Sequence, residues 1–87
     1  MTASQRFLAH VYVSLKPTVN DPEGYTIADA LRTLGFSGLE RVRSGKYFQL
    51  TVEAEDEGAA RRIVDGACAR LLANPVIETY RFDIEHA

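Results

Sequence analysis

The sequence predicts an α+β domain of two layers, in which strand, helix, strand, strand, helix and strand follow one another. Its sheet is mainly antiparallel and both helices lie on one face. Three observations predict it. Phe48, Leu50, Val52 and Ala54 alternate with Tyr47, Gln49, Thr51 and Glu53, the period of a half-buried strand. Ala60, Ile63, Val64, Ala67, Cys68 and Leu71 recur at helical spacing. Asn74-Pro75 then enforces a stop, because a residue before proline is pushed out of the α region and proline cannot extend a helix.

Taken in order, Phe7, Ala9, Val11, Val13 and Leu15 alternate with less apolar residues and predict a first strand, ended by Lys16-Pro17. Asp21-Pro22-Glu23 reads as a helix start: Asp21 as N-cap, Pro22 at the first helical position, Glu23 at the positive end of the dipole. Ile27, Leu31 and Leu34 follow at helical spacing, and Gly35 suits the C-terminal cap. Leu39–Arg43 reads as a short second strand, turned by Ser44-Gly45 into the strand through Phe48 and Ala54. Asp56 caps the second helix, whose Arg61, Arg62, Asp65 and Arg70 face water. Val76, Tyr80, Phe82 and Ile84 share one face of the last strand.

The helices cover one face of such a sheet, yet Leu8, Tyr12, Tyr47 and Ile77 fall on the opposite parity of their strands. Together they form an apolar patch larger than a monomer usually exposes, which predicts a two-fold dimer through that face. Eighty-seven residues make a single domain, 1–87, with Met1–Gln5 expected to be flexible. A chain this short buries only roughly 60–65% of its unfolded surface, so oligomerisation also suits its size.

Composition excludes several classes. A net charge of −2 argues against a general nucleic-acid binder, whose phosphate contacts need a basic surface. No apolar run approaches the roughly 20 residues that span a bilayer, and Met1–Gln5 lacks a signal-peptide core, so the cytoplasm is the expected compartment. One cysteine, Cys68, excludes an internal disulfide and reads as a buried thiol. His10 and His86 have no evident partners in sequence, and the acidic run Glu53, Glu55, Asp56, Glu57 lacks metal-loop spacing.

Gly45-Lys46 lacks the earlier glycine of a phosphate loop, since Glu40 occupies that position, and Tyr47 stands where Ser or Thr would bind magnesium. Gly35-Phe36-Ser37-Gly38 has no basic residue to clamp an RNA backbone. The residues by themselves therefore give no catalytic, cofactor-binding or metal site, which leaves an interaction or regulatory module.

Three segments carry a more specific signal: Leu15-Lys16-Pro17-Thr18-Val19-Asn20-Asp21-Pro22-Glu23-Gly24, Val42-Arg43-Ser44-Gly45-Lys46 and Leu71 to Tyr80. In this order and spacing the chain resembles the PurS family, the small accessory subunit of bacterial and archaeal phosphoribosylformylglycinamidine synthase. The resemblance runs from about Phe7 to Ile84 and implies a subunit without catalytic residues or cofactors of its own. It implies that PurQ releases ammonia from glutamine and that PurL uses ATP and magnesium for the amidation. This chain would bridge the two, as a homodimer or tetramer, and aid ammonia transfer. Neither nucleic acid nor a membrane is expected as a partner. Arg43, Gly45 and Lys46 of the turn, with Asn74, Pro75 and Ile77 of the junction, become candidate contacts to partners or a second copy, beside Leu8, Tyr12 and Tyr47.

A second reading of the same plan is an ACT-like regulatory module binding an amino acid at a dimer interface. Such modules place a glycine in the loop after the first strand, and Lys16-Pro17-Thr18-Val19-Asn20 has none.

Overall fold

A computed structural model describes residues 4–87; Met1–Ala3, part of the tail expected to be flexible, lie outside the described residues. Three strands, β1 (Gln5–Leu15), β2 (Gly45–Ala54) and β3 (Glu78–His86), form one antiparallel sheet in the order β2-β1-β3. Helix α1 (Pro22–Thr33) joins β1 to β2, and α2 (Glu57–Ala67) joins β2 to β3. Gln5, placed by its sequence in the flexible tail, already opens β1, and its side-chain amide donates to the Glu55 carbonyl at 2.8 Å.

The central strand owes its place to its pattern. Phe7, Ala9, Val11 and Val13 are all buried, and they face Val52, Leu50 and Phe48 on β2 and Ile84, Phe82 and Tyr80 on β3. Helix α2 closes this layer with Ala60, Val64 and Cys68. Its start is as expected: the Asp56 carboxylate accepts from Ala59 N–H at 2.7 Å.

Four sequence expectations need correction. Leu39–Arg43 is not a strand; it runs back alongside α1, where the Arg32 guanidinium donates to the Glu40 carbonyl and Gly24 packs against the Val42 carbonyl. Its backbone is thus occupied by the helix rather than by a ladder. Only α2 lies across the sheet, whereas α1 projects past the sheet's end and packs over no strand along its length.

The third correction concerns Leu71. The last turn, Cys68–Leu72, is π-helical, with Ala73 N–H donating to Cys68 C=O at 3.0 Å. The extra residue shifts the phase. Ala73 becomes buried, Leu72 packs against the core, and Leu71 is left 83% exposed. Finally, β3 begins only at Glu78, so Val76 and Ile77 lie in the preceding turn. Asn74 holds that turn: its side chain accepts from Val76 N–H at 3.0 Å and its carbonyl from Glu78 N–H at 2.7 Å.

At the far end of α1, Gly35 adopts φ +96°, donates to Arg32 C=O, and lets Phe36 donate to Leu31 C=O, a Schellman closure. No helix is long and apolar enough to cross a membrane among the described residues.

Candidate functional site

The three sequence segments singled out above converge at one end of the sheet, where β1 ends and β2 and β3 begin. Asp21 is the centre of this convergence. It is only 4% exposed, and both of its oxygens are used. Oδ1 accepts from Gly24 N–H at 2.9 Å, and Oδ2 from Ser44 N–H at 2.6 Å, while the Ser44 hydroxyl donates to the same carboxylate at 3.0 Å. One side chain thus caps α1 and fixes the turn that starts β2. The Ser44 and Gly24 N–H groups hold the Asp21 carboxyl below its ordinary value, outweighing desolvation; the Ser44 hydroxyl and the Arg43 guanidinium add to this.

Arg43 and Lys46 divide their work. The Arg43 guanidinium turns inward and donates to the Val19 carbonyl at 2.7 Å and the Lys16 carbonyl at 3.0 Å, so it braces the loop after β1. Lys46 stays at the surface, 3.4 Å from Glu78. Glu78 in turn accepts from Asn74 N–H at 2.7 Å, and that bond, ahead of Lys46, keeps its carboxyl below the ordinary range. Lys16 ties the third segment in: its N–H donates to Ile77 C=O, and its ammonium to Pro75 C=O, both at 2.8 Å. Gly45 stands where a side chain would strike the Val13 carbonyl.

Between these groups lies a cleft of about 230 Å³, floored by Val13 and Leu15 and rimmed by Asp21, Glu23, Lys46 and Glu78. Of the residues proposed from sequence, Gly45 and Lys46 line this cleft, Arg43 lies behind it, and Asn74, Pro75 and Ile77 form its tied flank. Asp21, Lys16, Ser44 and Glu78 were not singled out as site residues, although Asp21 was legible as a cap.

Leu8, Tyr12 and Tyr47 sit apart, on the open face of the sheet, and Ile77 is not with them because it precedes the strand. This face is more polar than its parity suggests. Gln49 donates to the Tyr47 hydroxyl at 3.0 Å, that hydroxyl and His10 Nδ1 share a hydrogen bond at 2.5 Å, and His10 Nε2 meets Glu85 at 2.8 Å. The Arg81 guanidinium lies 4.1 Å above the Tyr12 ring. His10 thus has partners that its sequence surroundings hide, because they come from strands 37 and 75 residues away. They cross-tie all three strands.

Cys68 is buried, and burial, followed by the Asp65 carboxylate, pushes its thiol up, away from a reactive thiolate. Among the described residues no group of three or more His, Cys, Asp or Glu side chains could hold a metal ion. The geometry is that of a braced junction presenting Lys46 and a cleft, with no nucleophile-and-base pair inside it.

Comparison with known proteins gives one consistent answer. Residues 8–86 match the family model described as PurS: phosphoribosylformylglycinamidine (FGAM) synthase. The PurS subunit of Synechocystis is 46% identical over 81 residues, covering 93% of this chain and 81% of its own length. That of Bacillus subtilis is 44% identical over 75 residues, covering 86% and 88%. Among solved structures, the purS subunit from Thermotoga maritima superposes with a TM-score of 0.88 at 36% identity, covering 95% of each chain. A chain in the structure of PurLQS from the same organism gives 0.85 at 38% identity, covering 92% of this chain and 98% of that one.

Proposed function

The chain belongs to the PurS family, and from that premise we propose that it is the single-domain PurS subunit of a phosphoribosylformylglycinamidine synthase. It forms a complex with PurL and PurQ in purine biosynthesis and contributes no catalytic residue of its own. In that assembly PurQ releases ammonia from glutamine. PurL, with ATP and magnesium, converts formylglycinamide ribonucleotide to formylglycinamidine ribonucleotide. This chain bridges the two and aids the transfer of ammonia, in the cytoplasm and as a homodimer.

The observation that carries this reading is the match along almost the whole chain to a component of PurLQS, at 38% identity. The site agrees with it. Asp21, Arg43 and Glu78 spend their charge on holding the chain's own backbone, which makes a rigid platform rather than a reaction centre. Lys46, Gly45 and the Asn74-Pro75-Ile77 turn then serve as contacts to the larger subunits, with Leu8, Tyr12 and Tyr47 on the open face as a second contact surface.

The test is glutamine-dependent amidation by PurL and PurQ from the same source, with and without this chain, beside an ammonium-driven control. Turnover from glutamine should need the chain while turnover from ammonium persists. If the chain changes neither, the assignment fails.

A further inference from the structure

β3 forms one edge of the sheet. Along Glu78–His86 it pairs with β1 alone, so every second residue turns its N–H and C=O away from that ladder, with no strand to receive them. Such an edge is a template for another extended chain.

Helix α2 makes this edge one wall of a groove. It leans on β3 through Arg61, 5.9 Å over the Phe82 ring, and Asp65, which accepts from the Tyr80 hydroxyl at 2.7 Å. One turn further on, Ala69, Ala73 and Pro75 face Thr79 and Tyr80 across a recess of about 220 Å³. That is below the roughly 300–1,000 Å³ of small-molecule sites and suits an apolar side chain. Tyr80, Phe82 and Ile84, the inner row of β3, stay half-buried, because the helix covers them from above and no strand covers them from the side. The recess ends at Pro75 and Glu78, so it continues the flank of the junction.

The other row of β3 carries charge. Arg81, Asp83 and Glu85 alternate with the apolar residues and turn to the open face. Arg81 and Asp83 stand 3.5 Å apart yet have side chains 70% and 68% exposed, and Glu85, although it meets His10, is 63% exposed. Charges on an edge strand deter indiscriminate pairing. They also decide which segment can pair, since residues directly opposite across a ladder interact and like charges there repel. A strand laid on β3 needs an acidic residue opposite Arg81 and basic residues opposite Asp83 and Glu85. The residues between them turn to the Tyr80, Phe82 and Ile84 row and must be apolar.

We propose that the β3 edge receives an extended segment of this alternating chemistry from a larger synthase subunit, as a fourth strand of the sheet. Main-chain hydrogen bonds supply the attachment, the charge order sets register, and an apolar side chain fills the recess. The proposal rests on reading the chain as a partner of PurL and PurQ, and it names the surface and the chemistry that one of them uses.

The experiment follows amide hydrogen exchange in the chain alone, with PurL, with PurQ and with both. The outward-facing amides of β3 should slow roughly tenfold or more in the complete complex, and the arm with a single subunit that reproduces the protection identifies the donor. Asp83→Lys should weaken binding roughly tenfold or more, whereas Glu53→Lys, the same change of charge on the opposite edge, should not. Ala69→Leu, which plugs the recess without adding charge, should weaken binding as well, with an unchanged far-UV spectrum. Unprotected β3 amides in the complete complex overturn the proposal, as does equal loss of binding in the two charge variants. A change in the sedimentation of the chain alone on Asp83→Lys would place a second copy on this edge and overturn it too. Glutamine-dependent amidation by the unaltered chain reports on the family role separately: turnover that needs the chain while β3 stays unprotected defeats this proposal alone.

Discussion

Replacing Gly45 by alanine should loosen the junction without touching any charged group. Gly45 opens β2 opposite Ser14, and a β-carbon there would lie 2.6 Å from the carbonyl oxygen of Val13. Ordinary van der Waals contact begins near 3.4 Å. The strand ends must therefore part by roughly 0.8 Å, at the place where the β1–β2 ladder closes and where Ser44 on one side and Lys46 on the other are held. Relief of overpacking of this kind costs about 1–3 kcal/mol. A domain of this size has on the order of 4–13 kcal/mol in all, so the loss is a substantial fraction. With a urea slope near 1–2 kcal/mol/M for so small a chain, the midpoint should fall by roughly 1–2 M at unchanged slope.

Gly66→Ala is the matching control. Gly66 lies inside α2 with nothing within 4 Å of an added carbon, so the same substitution should stabilise by about 0.5–1 kcal/mol. A Gly45→Ala midpoint equal to or above the wild-type value would refute the close-approach argument.

Three other predictions follow from the same end of the molecule and from the core. Lys46→Glu should preserve the fold, because Lys46 is exposed and its single ion pair is with Glu78, but should weaken the complex with PurL and PurQ in a pull-down. Unchanged assembly would remove Lys46 from the contact surface. Asp21 and Glu78 both have carboxyls held below their ordinary values by backbone N–H donors. Their contribution is present in full above the unfolded values near 4 and is lost as pH falls through the lower folded values. The urea midpoint should therefore drop in acid, less steeply in Asp21→Asn, and a pH-independent midpoint below 4 would contradict this. The Cys68 thiol, buried and raised, should react with a thiol reagent only after unfolding; prompt labelling of the native chain would show that the α2 seam opens.

How much of this was legible in the sequence depends on where the determining contact lies. Asp21, Pro22 and Gly35 act within a few residues of themselves, so the start and stop of α1 could be read directly. Ala60, Val64 and Cys68 were legible because burial follows the helical period, while Leu71 was not, because a π turn changes the period after it has been counted. Leu39–Arg43 has extended composition but lost its ladder to Gly24 and Arg32, partners that composition does not name. The site behaves alike. The turn and the Asn74-Pro75 junction were visible as segments, but their meeting around Asp21 joins residues more than twenty and more than fifty positions apart. His10 was missed for the same reason, since its partners are set by strand register.

The charges at this junction are spent on the chain's own backbone. A reactive carboxylate or guanidinium needs unspent hydrogen-bonding capacity aimed at a substrate. Asp21 accepts from three donor groups of its own chain, Arg43 donates to two carbonyls, and Glu78 is engaged by Asn74 and Lys46. Each is consumed in fixing where three chain segments cross. That fixes the cleft and the exposed Lys46 relative to the sheet, while α1, anchored at this same knot by Gly24 and Asp21, is aimed outward from it. The knot therefore sets two directions at once: that of the junction proposed to meet the larger subunits, and that of α1. Loosening it should disturb assembly with PurL and PurQ in a pull-down, whereas loosening the α2 core of Ala60, Val64 and Cys68 should lower stability with little effect on that assembly at temperatures where the chain stays folded.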